Sequence, residues 1–267
     1  DKRLSEAAAI KPTFPVYLAN LKDPAKKSGH LLSAATFTKT CQLARYFFKW
    51  AREEYPSRYK KIPVNWLDSI RPPKDRAEQS EIKTRQVYEL EEVIKLTQCK
   101  PVSVMGQRAQ AAAAFLFLSG MRIGAFVSLP ISCVDLESLK VHQLPAMGVR
   151  TKNRKAAVTN LLPIPELLEV VRKWDRELRA RVPADSFWFA PIDFQGVSPL
   201  PRKSAKFESV RRDVAKDIKL LCELAGVEYK SPHKFRHGHA VWALKRAASM
   251  GALKAISQNL MHSTIGI

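Results

Sequence analysis

The chain has 267 residues, 46% of them hydrophobic, and its 45 Lys and Arg against 25 Asp and Glu give a formal net charge of +20 at pH 7 and a pI of about 10.0. That length and apolar content exclude a disordered chain and can bury a sizeable core in one domain or two. The charge exceeds what solubility requires, so a polyanion is the first partner to consider; a ribosomal or histone-like structural protein is equally basic but is usually shorter and less apolar.

The basic excess is spread along the sequence: 17 basic and 9 acidic residues precede Thr84, and 28 and 16 follow from it, so both halves are expected to face the polyanion. Residues 1–30 mix Ala, Pro and Lys with weak periodicity and read as an arm or irregular lead-in. Ser33 then caps a strong helix in which Phe37, Cys41, Ala44, Phe48, Ala51 and Tyr55 recur at core spacing. Lys39, Arg45, Lys49 and Arg52 form a second stripe, suited to a DNA backbone and equally to a solvated helix face. A short helix is expected around Val64–Ile70. Arg71 to Arg85 is polar, contains Pro72 and Pro73, and has the composition of a linker. The expected organisation is therefore a lead-in and helical domain over 1–71, a linker over 72–84 and a second domain over 85–267.

In the second part, Tyr88 to Leu96 predicts a helix ending near Cys99 and Pro101. Ala109 to Leu118 is apolar nearly all round, which predicts a fully buried helix closed by Gly120. Met121 to Leu129 adds a helical turn or two with Ile123, Phe126 and Val127 toward the core. Arg122 breaks that pattern: a cation beside a buried helix junction is costly unless it meets an anion or a carboxylate. Val141 to Pro165 reads as a β-hairpin whose tip, Thr151-Lys152-Asn153-Arg154-Lys155, is either a solvated turn or a mobile carrier of a lysine. Glu166 to Arg181 reads as a charged surface helix, Ser186 to Ile192 as a strand or extended segment, and Phe207 to Ala225 as a helix with a core stripe of Val210, Val214, Ile218 and Leu221. Ala252, Ile256 and Leu260 mark a last short helix before Met261-His262-Ser263.

Between those two helices lies Ser-Pro-His-Lys-Phe-Arg-His-Gly-His, Ser231 to His239. Ser231 suits an N-cap and Pro232 the first helical position, with Ala240, Val241, Leu244, Ala247 and Ala248 predicted as the buried face. His233 and Arg236 then share one side of the first turn, where unpaired N–H groups and a guanidinium favour a phosphate, although a His and an Arg near a helix start also occur in purely structural settings. The cysteines Cys41, Cys99, Cys133 and Cys222 are far apart, match no metal-ligand spacing and read as reduced core residues. No apolar run approaches a membrane span and no signal-peptide pattern opens the chain, so a soluble, cytoplasmic protein is expected. The chain begins at Asp1 and stops at Ile267, and it reads as a fragment.

Taken in order, Arg122, Lys152, His233-x-x-Arg236 and His262 in a strongly basic two-part chain resemble the tyrosine recombinases, the integrase family of DNA breaking and rejoining enzymes. Ser119-Gly120-Met121-Arg122-Ile123 resembles the first catalytic box, His233 to His237 the second and Leu260-Met261-His262-Ser263 the third. The resemblance implies a mainly α fold with a small antiparallel β-sheet, arranged as a C-shaped clamp of a helical core-binding domain and an integrase-type catalytic domain. It implies duplex DNA as partner, a homotetramer on two duplexes, and no metal or cofactor. It also implies roles: Arg122 and Arg236 clamp the scissile phosphate, Lys152 (or Lys155) protonates the leaving 5′-oxygen, and His233 and His262 assist. Arg154 and Lys155, with the stripe of Lys39, Arg45, Lys49 and Arg52, are the expected further DNA contacts.

The sequence departs from the family's pattern at three places. The family's nucleophilic tyrosine lies beyond the third-box histidine, and the sequence stops first, so the chain alone is expected not to cleave DNA; Tyr88 and Tyr229 do not fill that position. Ala125 stands where many members carry an acid, and Met261 where a glycine is usual. Competing readings are a DNA-binding protein that keeps the fold without catalysis and a type IB topoisomerase. A metal-dependent hydrolase using His233 and His237 is opposed by the positive charge of Lys234 and Arg236 on the same turn.

Overall fold

A computed structural model describes residues 13–22, 29, 31–71, 86–101, 103–193, 195–201 and 207–261. The chain divides into two compact units, 1–85 and 86–267. The expected linker over 72–84 lies outside the described residues.

The first unit is helical: α1 (Phe14–Asn20), α2 (Ala34–Glu54), α3 (Pro56–Tyr59) and α4 (Val64–Asp68). Part of the expected irregular lead-in is thus a helix, started by Pro15 in its first turn and anchored by buried Leu18. Ser33 caps α2 by accepting the Thr36 N–H at 3.2 Å. Phe37 and Cys41 bury against Leu32, Ile62, Leu67 and Ile70 to form a separate small core. α2 also leaves Leu43, Tyr46, Phe47 and Trp50 exposed.

The second unit surrounds one helix. Its elements are α5 (Leu90–Gln98), α6 (Val104–Ser119), α7 (Ile123–Phe126), β1 (Val134–Asp135), β2 (Lys140–Gln143), β3 (Ala157–Asn160), α8 (Pro165–Arg181), α9 (Phe207–Ala225), α10 (His233–Leu244) and α11 (Met250–Asn259). Every residue of α6 from Arg108 to Ser119 is buried, as its all-round apolar sequence requires, and Gly120 ends it in the left-handed region with φ 57°. The polar members are satisfied: Arg108 pairs with Asp217 at 2.6 Å, and Gln110 Nε2 donates to the Cys99 carbonyl at 2.7 Å.

The three strands form one antiparallel sheet in the order β1-β2-β3, with Val141 opposite Thr159 and Gln143 opposite Ala157. The hairpin is therefore present, but its connection is long and irregular, and Asn153 and Arg154 both take positive φ, 60° and 53°.

α8 is the expected charged surface helix, with Leu167, Leu168, Val171, Trp174 and Leu178 burying one side of it against the core. Two expectations are corrected. Of the alternatives for Ser186 to Ile192 no strand of the sheet forms; Ser186 to Ala190 is buried and holds an isolated bridge between Phe187 and Pro130. α10 starts at His233, with Pro232 in a turn and no side-chain cap from Ser231. Its buried face is Phe235, Arg236, Gly238, His239 and Ala243, while Leu244 is 49% exposed. The helix is held so close to Tyr88 that a Cβ on Gly238 would lie 2.0 Å from the Tyr88 carbonyl oxygen, which rotates the expected face away.

Candidate active site

The start of α10 is fixed from outside the helix. The Tyr88 ring stacks on Phe235 with centroids 4.0 Å apart, and its hydroxyl donates to the Lys230 carbonyl at 2.6 Å and accepts the Lys230 N–H at 2.8 Å. The Lys230 ammonium in turn pairs with Glu92 on α5. Burial pushes the Tyr88 hydroxyl well above the ordinary tyrosine range, so this ring is a neutral structural pin. The segment entering His233 therefore has little freedom.

Arg236 reaches back across the chain. It is 6% exposed; Nη1 donates to the Gly120 carbonyl at 2.6 Å and Nη2 to the Leu260 carbonyl at 2.5 Å. It thereby ties the turn after α6 to the end of α11. Arg122 sits two residues beyond Gly120 as the N-cap residue of α7, partly exposed. Burial, and after it the charge of Arg122, lowers the Arg236 guanidinium to about 10. His233, on the exposed side of the first turn, is held below its ordinary value by burial and then by Arg236, Arg122 and Lys234. Arg122, Arg236 and His233 thus share one positive field. Among the described residues no carboxylate pairs with Arg122. A site with this field suits an anion.

Lys152 stands exposed in the β2–β3 connection, beside exposed Arg154 and Lys155. The connection is tied to the floor of the site two residues earlier, where the Arg150 N–H donates to Ser128 Oγ at 2.8 Å and that hydroxyl donates to the Gly124 carbonyl of α7 at 2.9 Å. No contact joins the Lys152 ammonium to either guanidinium. On the other side, Asn259 bonds both backbone groups of Asn160: its Oδ1 accepts at 2.6 Å and its Nδ2 donates at 3.1 Å. His262 itself lies outside the described residues, while Met261 before it has φ 54°.

In the first unit, Lys39 is exposed, Arg45 and Arg52 are partly buried, and Lys49 pairs with Asp68 at 3.2 Å. Ala125 is buried in α7. The carbonyls of Gly120 and Leu260, and the buried His239 beside them, escaped the sequence reading. A carbonyl leaves no mark in sequence, and His239 was readable only as a residue three positions after Arg236.

A model of the phage integrase family matches residues 86–266. The chain belongs to the phage integrase family, the tyrosine recombinases. A comparison with curated proteins finds no match. Among solved structures, the Tn1549 transposon integrase in complex with circular intermediate DNA is similar over 99% of this chain and 79% of that one, with a TM-score of 0.57 and 15% identity. A lambda integrase dimer bound to a COC′ core site aligns with 87% of this chain at a TM-score of 0.55 and 15% identity, and this chain spans 57% of that one. A lambda integrase tetramer bound to a Holliday junction gives a TM-score of 0.55 at 16% identity, over 86% of this chain and 59% of the other. At these identities the likeness is one of fold. The integrase fold accounts for the mainly helical second unit with its small antiparallel sheet, and no described helix is long and apolar enough to cross a membrane.

Proposed function

We propose that the protein is a site-specific DNA recombinase that cleaves and rejoins strands through a 3′-phosphotyrosyl intermediate. The observation that carries the proposal is the pair of guanidiniums, Arg122 and Arg236, acting on each other electrostatically at the turn that follows α6. In this reading they bind the non-bridging oxygens of a scissile phosphodiester and oppose the charge that grows in its pentavalent transition state. Lys152 delivers a proton to the leaving 5′-oxygen from its exposed turn, and His233, held toward its neutral form, takes or passes the nucleophile's proton. His262 completes the set as a hydrogen-bond donor to the phosphate. A tyrosine nucleophile conserves the phosphodiester energy, so joining needs neither metal nor ATP.

The same proposal places duplex DNA in a C-shaped clamp formed by the domains over 1–71 and 85–267, with Lys39, Arg45, Lys49, Arg52, Arg154 and Lys155 on its phosphates, and four copies on two duplexes. The excess of basic residues in both parts of the sequence supports it. So do the solved lambda integrase dimer on a core site and tetramer on a Holliday junction, as properties of that protein.

The test is duplex-DNA binding by this chain against salt, followed by adduct formation on a nicked duplex with the complete protein. Binding should weaken steeply as salt rises, because several phosphates shed counterions on contact. Arg122→Ala or Arg236→Ala should reduce adduct formation by about 10²- to 10³-fold while changing duplex affinity far less. A flat salt response, or equal losses in binding and adduct, overturns the proposal. Salt-sensitive binding with no adduct would favour a DNA-binding protein of the same fold, and relaxation of supercoils without site preference a type IB topoisomerase.

A further inference from the structure

The proposed chemistry leaves one buried imidazole without a task. His239 follows Arg236 by three positions on α10, so the two project from one side of the helix. The ring is 1% exposed, and its Nδ1 lies 2.8 Å from the Phe117 carbonyl. A carbonyl can only accept, so Nδ1 carries the ring hydrogen. Phe117 belongs to the last turn of α6, whose carbonyls have no donor within the helix. The neighbouring carbonyls are met in the same manner: Leu118 accepts the Leu162 N–H at 3.0 Å and Gly120 accepts Arg236 Nη1 at 2.6 Å. The ring also closes on the turn itself, since a Cβ on Gly120 would lie 2.6 Å from His239 Cδ2 and 2.8 Å from Leu260 Cδ2.

We infer that His239 is a positioning residue, whose neutral imidazole holds the end of α6 so that the Gly120 carbonyl stands where Arg236 donates and Arg122 leaves the same turn. An uncharged donor suits this place, because the charge of Arg236 opposes a further cation beside it. Burial supplies that condition by lowering the imidazole to about 4. The importance of this role for catalysis rests on the reading of Arg122 and Arg236 as phosphate ligands, but the hold on Arg236 is tested without DNA.

The experiment is ¹⁵N NMR on the full chain with His239→Phe and His239→Asn variants. In the wild type His239 should be the neutral Nδ1–H tautomer, and the Arg236 Nη hydrogens should exchange slowly with water. His239→Phe keeps an aromatic ring but no donor, and exchange at Arg236 should become about tenfold faster. His239→Asn restores a donor near the Nδ1 position and should return exchange most of the way to wild type, at a thermal midpoint no higher than that of the Phe variant. An Nε2–H tautomer in the wild type, or equal Arg236 exchange in the two variants, overturns the inference. Should His239→Phe fail to fold, the wild-type tautomer and the Asn variant decide. Loss of the recombinase reading would leave these measurements unchanged, and their failure would leave the DNA-binding test unchanged.

Discussion

Arg236 donates to the carbonyl of Gly120, 116 positions earlier, at 2.6 Å. The bond makes a helix-ending glycine part of the phosphate site proposed here. Gly120→Ala should therefore act twice. The left-handed φ of 57° costs a side chain about 1–2 kcal/mol, and the new Cβ meets His239 and Leu260 below 3.0 Å. A total loss of about 2–4 kcal/mol is expected in the denaturation midpoint, together with faster exchange at Arg236. A variant as stable as the wild type would mean that the turn is far looser than described.

Stability should fall between pH 6.5 and pH 4. In the unfolded chain a histidine takes up its proton near 6.5, whereas buried His239 refuses one until about 4. The unfolded state thus binds more protons through that window, and the native state loses ground as pH drops. The contribution is fully present above pH 6.5, and its loss amounts to about 3 kcal/mol by pH 4. His233, also held below its ordinary value, adds in the same direction. Thermal midpoints across this range should decline in the wild type and decline much less in His239→Phe; parallel curves would contradict the assignment.

The buried pair of Arg108 and Asp217, 4% and 6% exposed, should behave as a unit. Burial raises the Asp217 carboxyl even with Arg108 beside it, so removing the guanidinium leaves an acid that cannot be charged cheaply. Arg108→Met should cost about 3–5 kcal/mol, and adding Asp217→Leu should recover much of that loss. Chemical denaturation of the two variants checks the order; a double variant weaker than the single one would count against it.

Met261 should tolerate glycine better than its neighbours do. Its φ of 54° costs about 1–2 kcal/mol for a side chain, more than the backbone entropy that glycine adds to the unfolded chain. Met261→Gly is expected to raise stability by up to about 1 kcal/mol. A clear loss would show that the Met261 side chain holds the end of α11 through packing. A left-handed φ at Met261 is a physical reason for glycine at this position, one that the sequence alone does not show.

Legibility in the sequence followed locality. α6 and α9 were readable because their signals are local: the apolar run Ala109 to Leu118 and its closing Gly120 mark the first, and Val210, Val214, Ile218 and Leu221 bury along one line of the second. The charge of α8 is equally local and marks its outer face, while five apolar residues line its inner side. The face of α10 was misread for the opposite reason. Its orientation is set by Tyr88, far away in sequence, which leaves Leu244 outside and draws Arg236 and His239 in. Of the site, the sequence order of Arg122 and Arg236 pointed to a shared field, but the carbonyl seats of Gly120 and Leu260 belong to the backbone and have no residue type to betray them.

β3 is one of the two edge strands of the described sheet, and an edge strand offers unpaired amides to any extended peptide that drifts by. The Asn259 carboxamide already fills both backbone groups of Asn160, as another strand would. A single side chain therefore blunts the border at that point, which keeps the molecule from zipping onto its own kind, and it leashes the final helix to the ribbon that carries Lys152.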